Sequence, residues 1–222
     1  MFRFVVSKRK KCPVCDKALP ACICQHIVAI DSDIELIILQ HPTEVKNAIG
    51  TARILNLSLP QCQIIIGEDF TENTILNTLL NDPLRQCFLL YPSDDSVTAD
   101  SLVNDNHGDI ETNVENMKSA VNTKRTFILL DGTWRKAFKM YQSSRNLQSI
   151  PAVRLNALQA SQYTIRQTKI EGGLSTVEAG FLLLSTLDQD AEKYQPLMSA
   201  FEYMINFQIA QMPDGLFNKN YR

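Results

Sequence analysis

The chain has 222 residues, of which 45% are hydrophobic and 21% are charged, and its net charge is −2. This size and composition predict one sizeable hydrophobic core with a small appendage, and they exclude disordered, collagen-like and disulfide-rich chains. No apolar run reaches the length needed to cross a bilayer, and residues 1–11 reverse the charge order of a secretion signal. We therefore expect a cytoplasmic protein that does not associate with membranes.

The charges are distributed unevenly along the chain. Residues 132–170 contain seven basic residues and no acidic one, residues 1–17 are also basic, and residues 67–122 are acidic. A chain with this pattern can present a cationic face to a polyanion despite a pI near 5.9. The alternative is that the helices simply have solvated polar faces. The long stretch without acidic residues favours a polyanion partner.

Residues 1–30 are predicted to form a small separate module around four cysteines. A C-x2-C pair and a C-x-C pair are separated by six residues, at Cys12, Cys15, Cys22 and Cys24. Thiolates this close can converge on a tetrahedral Zn²⁺ at about 2.3 Å, and four protein ligands leave no open position, so the zinc would be structural. Disulfides are the alternative, disfavoured in a cytoplasmic protein. His26 is an alternative to Cys24 as the fourth ligand, and the basic residues 8–11 can contact phosphates.

From residue 34 onward, apolar runs alternate with helical patterns. Strands are predicted at 34–39, 63–66, 87–91, 126–130 and 152–155. Helices are predicted at 49–57, 71–80, 134–145, 176–187 and 190–211, the second of them capped by Thr71. The acidic, Asn-rich residues 93–121 are predicted to be an insertion that contains one helix.

Strands that are apolar on both faces and separated by helices indicate an α/β domain. We expect residues 31–222 to form a mostly parallel sheet with helices on both faces. In such sheets ligands bind at the carboxyl ends of the strands. This rule selects the turns after Leu39, Leu90 and Leu130 as candidate binding positions.

The first candidate segment follows Leu39. It contains His41, Glu44 and, at the start of the next helix, Thr51 and Arg53. Together they supply several donors and one carboxylate near one strand end. Alternatively, His41 holds the turn and Glu44 interacts with the positive end of a helix.

The second candidate segment is Asp131-Gly-Thr-Trp134, directly after a strand. Asp131 can accept a proton or bind a cationic ligand, and Gly132 allows a cofactor to lie against the backbone. Alternatively, Asp131 caps the next helix and Trp134 anchors the core.

The third candidate segment, Leu174-Ser-Thr-x-Glu178, begins a helix whose first N–H groups are free. An ordinary helix cap is the alternative. The sequence contains neither a dinucleotide-binding G-x-G-x-x-G motif nor a P-loop.

The order of these motifs resembles that of DTW-domain proteins. The matching residues are His41-Pro-x-Glu44, Thr51-x-Arg53, Tyr91-Pro-Ser93, Asp131-Gly-Thr-Trp134, Arg166 and Leu174-Ser-Thr-x-Glu-Ala179, together with the N-terminal cysteine pairs. Members of this family are tRNA-uridine aminocarboxypropyltransferases. The family is similar to SPOUT methyltransferases, so the resemblance implies a sheet that carries a trefoil knot, an exception to the usual unknotted topology.

The resemblance implies transfer of the 3-amino-3-carboxypropyl group of S-adenosylmethionine to N3 of a tRNA uridine. Asp131 is the candidate base, or else it orients the cofactor's amino group. The implied cofactor-binding residues are Tyr91, Pro92, Ser93, Gly132, Thr133, Trp134, Leu174, Ser175, Thr176 and Glu178. The candidate substrate-binding residues are His41, Glu44, Arg53, Arg135, Lys136 and Arg166, where Arg53 or Arg166 can instead pair with the cofactor carboxylate. No obligate protein partner is expected.

Two other functions compete with this interpretation. One is a SPOUT-type RNA methyltransferase that uses the same cofactor. The other is a non-catalytic, zinc-bearing RNA-binding module.

Overall fold

The computed structural model of the chain describes residues 10–103, 123–156 and 174–211. Within these residues six strands form one sheet: β1 (Glu35–Gln40), β2 (Cys62–Ile66), β3 (Arg85–Leu90), β4 (Val97–Thr98), β5 (Lys124–Asp131) and β6 (Ala152–Arg154). Their order is β2-β1-β5-β3-β6-β4, and every pairing is parallel. The predicted parallel α/β sheet is confirmed. The short strand β4 was not predicted, because two residues carry no readable periodicity.

Five α-helices connect and cover the strands of the described residues. They are α1 (Ala52–Ser58), α2 (Thr74–Leu80), α3 (Trp134–Ser143), α4 (Thr176–Asp188) and α5 (Ala191–Ala210). The prediction that Thr71 caps the second helix was wrong. The side chain of Asn73 accepts the cap hydrogen bond from the backbone of Leu76, whereas the Thr71 hydroxyl donates to the carbonyl of Ser143.

The sheet has a hydrophobic layer on each face. Alternate residues of β1 divide between the layers, since Leu36 and Ile38 belong to one cluster and Ile37 and Leu39 to the other. The first cluster includes residues of α1, α4 and α5, and the second includes residues of α2 and α3. Apolar residues on both faces of the strands were therefore the correct signal for a sheet covered on two sides.

The cysteine segment packs against the first layer. Cys12, Cys15 and Ile23 belong to the same hydrophobic cluster as α1, α4 and α5. The ring of His26 stacks on Tyr203 of α5 with 3.6 Å between centroids. The division into a 1–30 module and a 31–222 catalytic domain stays a prediction.

Two other expectations concern residues outside the described ranges. The trefoil knot stays a prediction, because the path from β6 to α4 passes through residues 157–173. Most of the acidic insertion, with its predicted helix, falls in residues 104–122. Among the described residues, no helix combines the length and hydropathy that a membrane span requires.

Candidate active site

Three predicted segments meet at the carboxyl ends of the central strands. β1 pairs with β5 so that Gln40 lies opposite Asp131. The Gln40 amide donates to Oδ2 of Asp131 at 2.7 Å, and the hydroxyl of Thr176 donates to Oδ1. Asp131 is buried, with 6% of its surface exposed. A buried carboxylate held by two neutral donors keeps a fixed orientation, as a general base or an orienting group requires.

Asp131 is not a helix cap. α3 is capped by Thr133, whose side-chain oxygen accepts from the backbone of Lys136 at 3.4 Å. Between them, Gly132 lies where a Cβ atom would stand 3.1 Å from Cβ of Lys136 and 3.6 Å from Cβ of His41. A side chain at this position would therefore crowd Lys136 of α3, whereas its distance to His41 would be an ordinary van der Waals contact.

An apolar cleft of about 560 Å³ opens beside Asp131. Seven of the ten predicted cofactor-binding residues line it: Tyr91, Pro92, Gly132, Thr133, Trp134, Leu174 and Thr176. The other lining residues are Leu90, Leu129, Leu130, Ala137, Val153, Arg154, Leu155 and Ala179. We call this site the apolar cleft. Its size and its largely apolar wall with a few polar groups are typical of small-molecule sites.

Two aromatic residues of the apolar cleft are placed differently. Trp134 is 57% exposed, so the alternative that it anchors the core is wrong. Tyr91 stacks on Tyr141 with 4.5 Å between ring centroids. Burial, and to a lesser extent Tyr141, raises the pKa of the Tyr91 phenol, so this side chain is neutral at physiological pH.

The other three predicted cofactor-binding residues are not among those that line the apolar cleft. Ser175 and Glu178 form a capping box at the start of α4, in which one Glu178 oxygen accepts from the Ser175 backbone at 2.8 Å. The backbone of Ser93 donates to the hydroxyl of Ser96 at 3.3 Å. A contact of these three residues with the cofactor stays a prediction.

His41 and Glu44 are tied to neighbouring side chains. Nε2 of His41 lies 3.1 Å from a carboxylate oxygen of Glu68, and Nδ1 lies 2.9 Å from the Thr43 hydroxyl. Glu44 forms an ion pair with Lys136 at 2.6 Å. Burial acts to raise the pKa of Glu44, but hydrogen bonds from Lys136 and Asn47 outweigh it and leave the pKa below its usual value. Glu44 is therefore a carboxylate that links the turn after β1 to α3.

The predicted substrate-binding cations occupy different parts of the molecule. Arg135 is exposed on α3 and directly follows Trp134, which lines the apolar cleft. Arg53, at the start of α1, is half-buried and does not line the apolar cleft. Arg166 lies outside the described residues.

Two residues of the candidate site were not among the site residues predicted from the sequence. Gln40 is a buried polar residue at the end of an apolar strand, directly before His41, and that position is the signal that could have identified it. Arg154 lines the apolar cleft and donates to the backbone oxygen of Ser96. Only the packing of β6 beside β3 brings it there.

The four cysteines form a cluster that can hold a metal ion. Their sulfurs all lie within 4.8 Å of one another, and the Cys12–Cys24 and Cys15–Cys22 distances are both 3.7 Å. Sulfurs at the corners of a tetrahedron around Zn²⁺ stand about 3.8 Å apart, given bonds of about 2.3 Å. All six cysteines of the chain are free, and His26, the alternative ligand, is not part of the cluster.

The cluster already favours one thiolate. Hydrogen bonds from the backbone at Cys15 and Val14 lower the pKa of Cys12 to about 6. Burial and the neighbouring thiols raise the pKa of Cys24 to about 12. A bound cation would deprotonate the remaining thiols.

Fold and candidate site together describe a parallel α/β domain that has a cleft at the carboxyl ends of its strands and a four-cysteine cluster that can hold a metal ion. The sequence profile of the DTW domain matches residues 9–209, which is most of the chain. The chain therefore belongs to the DTW domain family, as the motif order indicated.

Curated relatives match over nearly the whole chain. "tRNA-uridine aminocarboxypropyltransferase 2" of Drosophila melanogaster is 32% identical over 212 residues, covering 91% of this chain and 76% of the relative. The Mus musculus protein of the same name is 26% identical, covering 96% and 68%. "tRNA-uridine aminocarboxypropyltransferase A" of Arabidopsis thaliana is 26% identical, covering 90% and 81%. No solved structure matches the chain.

Proposed function

We propose that this protein transfers the 3-amino-3-carboxypropyl group of S-adenosylmethionine to N3 of a uridine in tRNA. One observation carries the proposal: seven of the ten predicted cofactor-binding residues line a single cleft beside the buried carboxylate of Asp131. The names of the relatives, which align over 90% or more of this chain, supply the reaction and the tRNA.

The apolar cleft fits a nucleoside-containing cofactor. Its volume of about 560 Å³ lies within the usual range for such ligands, and Trp134 offers an exposed ring face at its rim. Bound there, S-adenosylmethionine would supply a sulfonium-activated carbon, to which the uridine N3 would bond while the C–S bond breaks and its electron pair leaves with methylthioadenosine.

Asp131 is the residue that we propose as the acceptor of the proton that N3 loses. Its two oxygens accept from Thr176 and Gln40, so the two donors hold the carboxylate at one position. In the general-base role, Asp131 takes the proton that N3 must lose. In the orienting role, the same carboxylate binds the cofactor's amino group, so that the aminocarboxypropyl carbon and not the methyl carbon faces the uridine.

The metal we propose at the cysteine cluster is Zn²⁺. The 3.7 Å sulfur separations suit its tetrahedral coordination, and four thiolates leave no position for substrate. The ion would tie residues 12–15 to residues 22–24 and thereby shape the surface beside the turn after β1. Four free thiols so close together persist in a reducing compartment, which favours the cytoplasm.

Nucleoside mass spectrometry of tRNA from a strain that lacks the gene tests the proposed reaction. We expect aminocarboxypropyl-uridine to disappear and to return when the wild-type gene, but not the Asp131→Asn gene, is restored. Loss of a methylated base with aminocarboxypropyl-uridine intact would instead identify a methyltransferase. Unchanged tRNA, with binding of tRNA by the purified protein, would identify a non-catalytic RNA-binding protein.

A further inference from the structure

A second cleft, of about 880 Å³, separates the cysteine segment from the turn between β1 and α1. Basic residues from both sides line it: Lys10 and Lys17 from the cysteine segment, Lys46 from the turn, and Arg53 from α1. We call it the basic cleft. None of these four residues lines the apolar cleft.

The acidic residues of the basic cleft are already neutralised. Asp16 pairs with Lys11 at 3.0 Å, and Glu44 pairs with Lys136 at 2.6 Å. They are the two acidic residues of its lining, so neither is available to balance the remaining cations.

Four basic residues of the basic cleft are left without a carboxylate partner in the part of the chain that the structure describes. Among the residues that the structure describes, Lys10, Lys17, Lys46 and Arg53 have no carboxylate within salt-bridge distance. Lys17 is held at the wall by donating to the carbonyl of Ala48 at 2.7 Å, and its charge lies near both Cys15, whose thiolate would attract it, and Arg53, which repels it. Like charges held together in a cleft attract an anionic ligand, and their spread over two segments suits a chain of phosphates.

Asp131 connects the two clefts through its hydrogen bonds. Gln40 lines the basic cleft and donates to Oδ2 of Asp131. Thr176 lines the apolar cleft and donates to Oδ1 of the same carboxylate. The carboxylate thus accepts one hydrogen bond from a residue of each cleft, although Asp131 itself lines neither.

We propose that the basic cleft binds the phosphate backbone of the substrate RNA, so that the target base reaches Asp131 from the Gln40 side. The cofactor then occupies the apolar cleft on the Thr176 side. This inference rests on the proposed function, because it takes tRNA as the substrate. It assigns Arg53 to RNA rather than to the cofactor carboxylate, and it gives the cysteine module a direct role in RNA binding through Lys10 and Lys17.

The test compares three single substitutions in the metal-loaded full chain: Lys46→Gln, Arg53→Gln and Arg125→Gln. Arg125 lies near the amino end of β5, whereas Gln40 of the basic cleft lies at the carboxyl end of β1. It is half-buried like Arg53, and it too lacks a salt-bridge partner among the described residues. It is therefore a matched control. Lys46 is exposed, so its replacement does not threaten folding. Affinity for tRNA is measured over a series of salt concentrations, and S-adenosylmethionine affinity by calorimetry.

We expect Lys46→Gln and Arg53→Gln to weaken tRNA binding about 3- to 10-fold, and to lower the slope of log affinity against log salt by about 1 each. Affinity for S-adenosylmethionine should not change, and Arg125→Gln should behave like wild type. Wild-type tRNA binding and salt slopes in both cleft variants would overturn the inference. So would a loss of cofactor affinity in Arg53→Gln with tRNA binding intact.

The inference and the proposed function fail separately. If the wild-type protein transfers the aminocarboxypropyl group but the cleft variants bind tRNA normally, only the inference is wrong. If the wild-type protein binds tRNA through these residues but transfers nothing, only the proposed function is wrong.

Discussion

Replacing Asp131 by asparagine removes a negative charge from the candidate site while keeping the shape of the side chain. The two hydrogen-bond partners can adapt, because the Thr176 hydroxyl both donates and accepts and the Gln40 amide can rotate to present its oxygen. We therefore expect the free energy of unfolding to fall by no more than about 1 kcal/mol. Binding of tRNA should stay at the wild-type level, since the substitution leaves the cations of the basic cleft in place.

The transfer rate of Asp131→Asn should fall about 100-fold or more, as expected when a general base or an orienting carboxylate is lost. This corresponds to about 2.7 kcal/mol of transition-state stabilisation. Single-turnover kinetics with saturating tRNA and S-adenosylmethionine measures the rate of transfer directly. Near-normal turnover would remove Asp131 from the mechanism.

Asp131→Ala is the control that separates chemistry from folding. It leaves the buried amide of Gln40 without its acceptor, at a cost of about 1–3 kcal/mol in unfolding free energy. Chemical denaturation should therefore rank the alanine variant clearly below the asparagine variant. Equal stability of the two variants would show that the hydrogen bonds to Asp131 do not adapt as argued.

Three further substitutions test the cofactor site, the metal site and the packing. Trp134→Ala should lower S-adenosylmethionine affinity about tenfold in calorimetry while barely changing stability, because the ring is 57% exposed; unchanged affinity would remove Trp134 from the cofactor site. Cys12→Ser should release the metal and weaken tRNA binding more than cofactor binding; metal analysis that finds no zinc in the wild-type protein would contradict this. Gly180→Ala should destabilise the fold by about 1–3 kcal/mol, since a Cβ there would lie 2.8 Å from both methyl carbons of Leu55; wild-type stability would contradict the packing of α4 on α1.

The strands and most helices could be predicted because their signals are local. β1 has buried apolar residues on both faces, as a strand in a sheet covered on two sides requires. Ser175 and Glu178 form a capping box, which marks the start of α4. The approximate positions of the candidate ligand sites followed from the same information. Residues at the carboxyl ends of parallel strands share one edge of the sheet, so the turns after Leu39, Leu90 and Leu130 had to lie near one another.

The partners of Asp131 depend on the order of the strands, which periodicity does not reveal. Gln40 reaches Asp131 only because β5 inserts beside β1, although 91 residues separate the two side chains in sequence. The basic cleft has a similar origin, since Lys17 and Arg53 come together only when the cysteine segment packs beside α1. The sequence indicated Arg53 as a substrate-binding candidate, but the motif alone is compatible both with binding of an RNA phosphate and with binding of the cofactor carboxylate.

Labelled transfer by the purified protein tests the central claim most directly. Unmodified tRNA is incubated with S-adenosylmethionine that carries isotope in either its methyl group or its aminocarboxypropyl carbons, and the nucleosides and small products are identified by mass spectrometry. We predict that uridine gains the aminocarboxypropyl label and that methylthioadenosine forms in equal amount. Methyl label in the tRNA together with S-adenosylhomocysteine, or no label in any nucleoside, would contradict the claim.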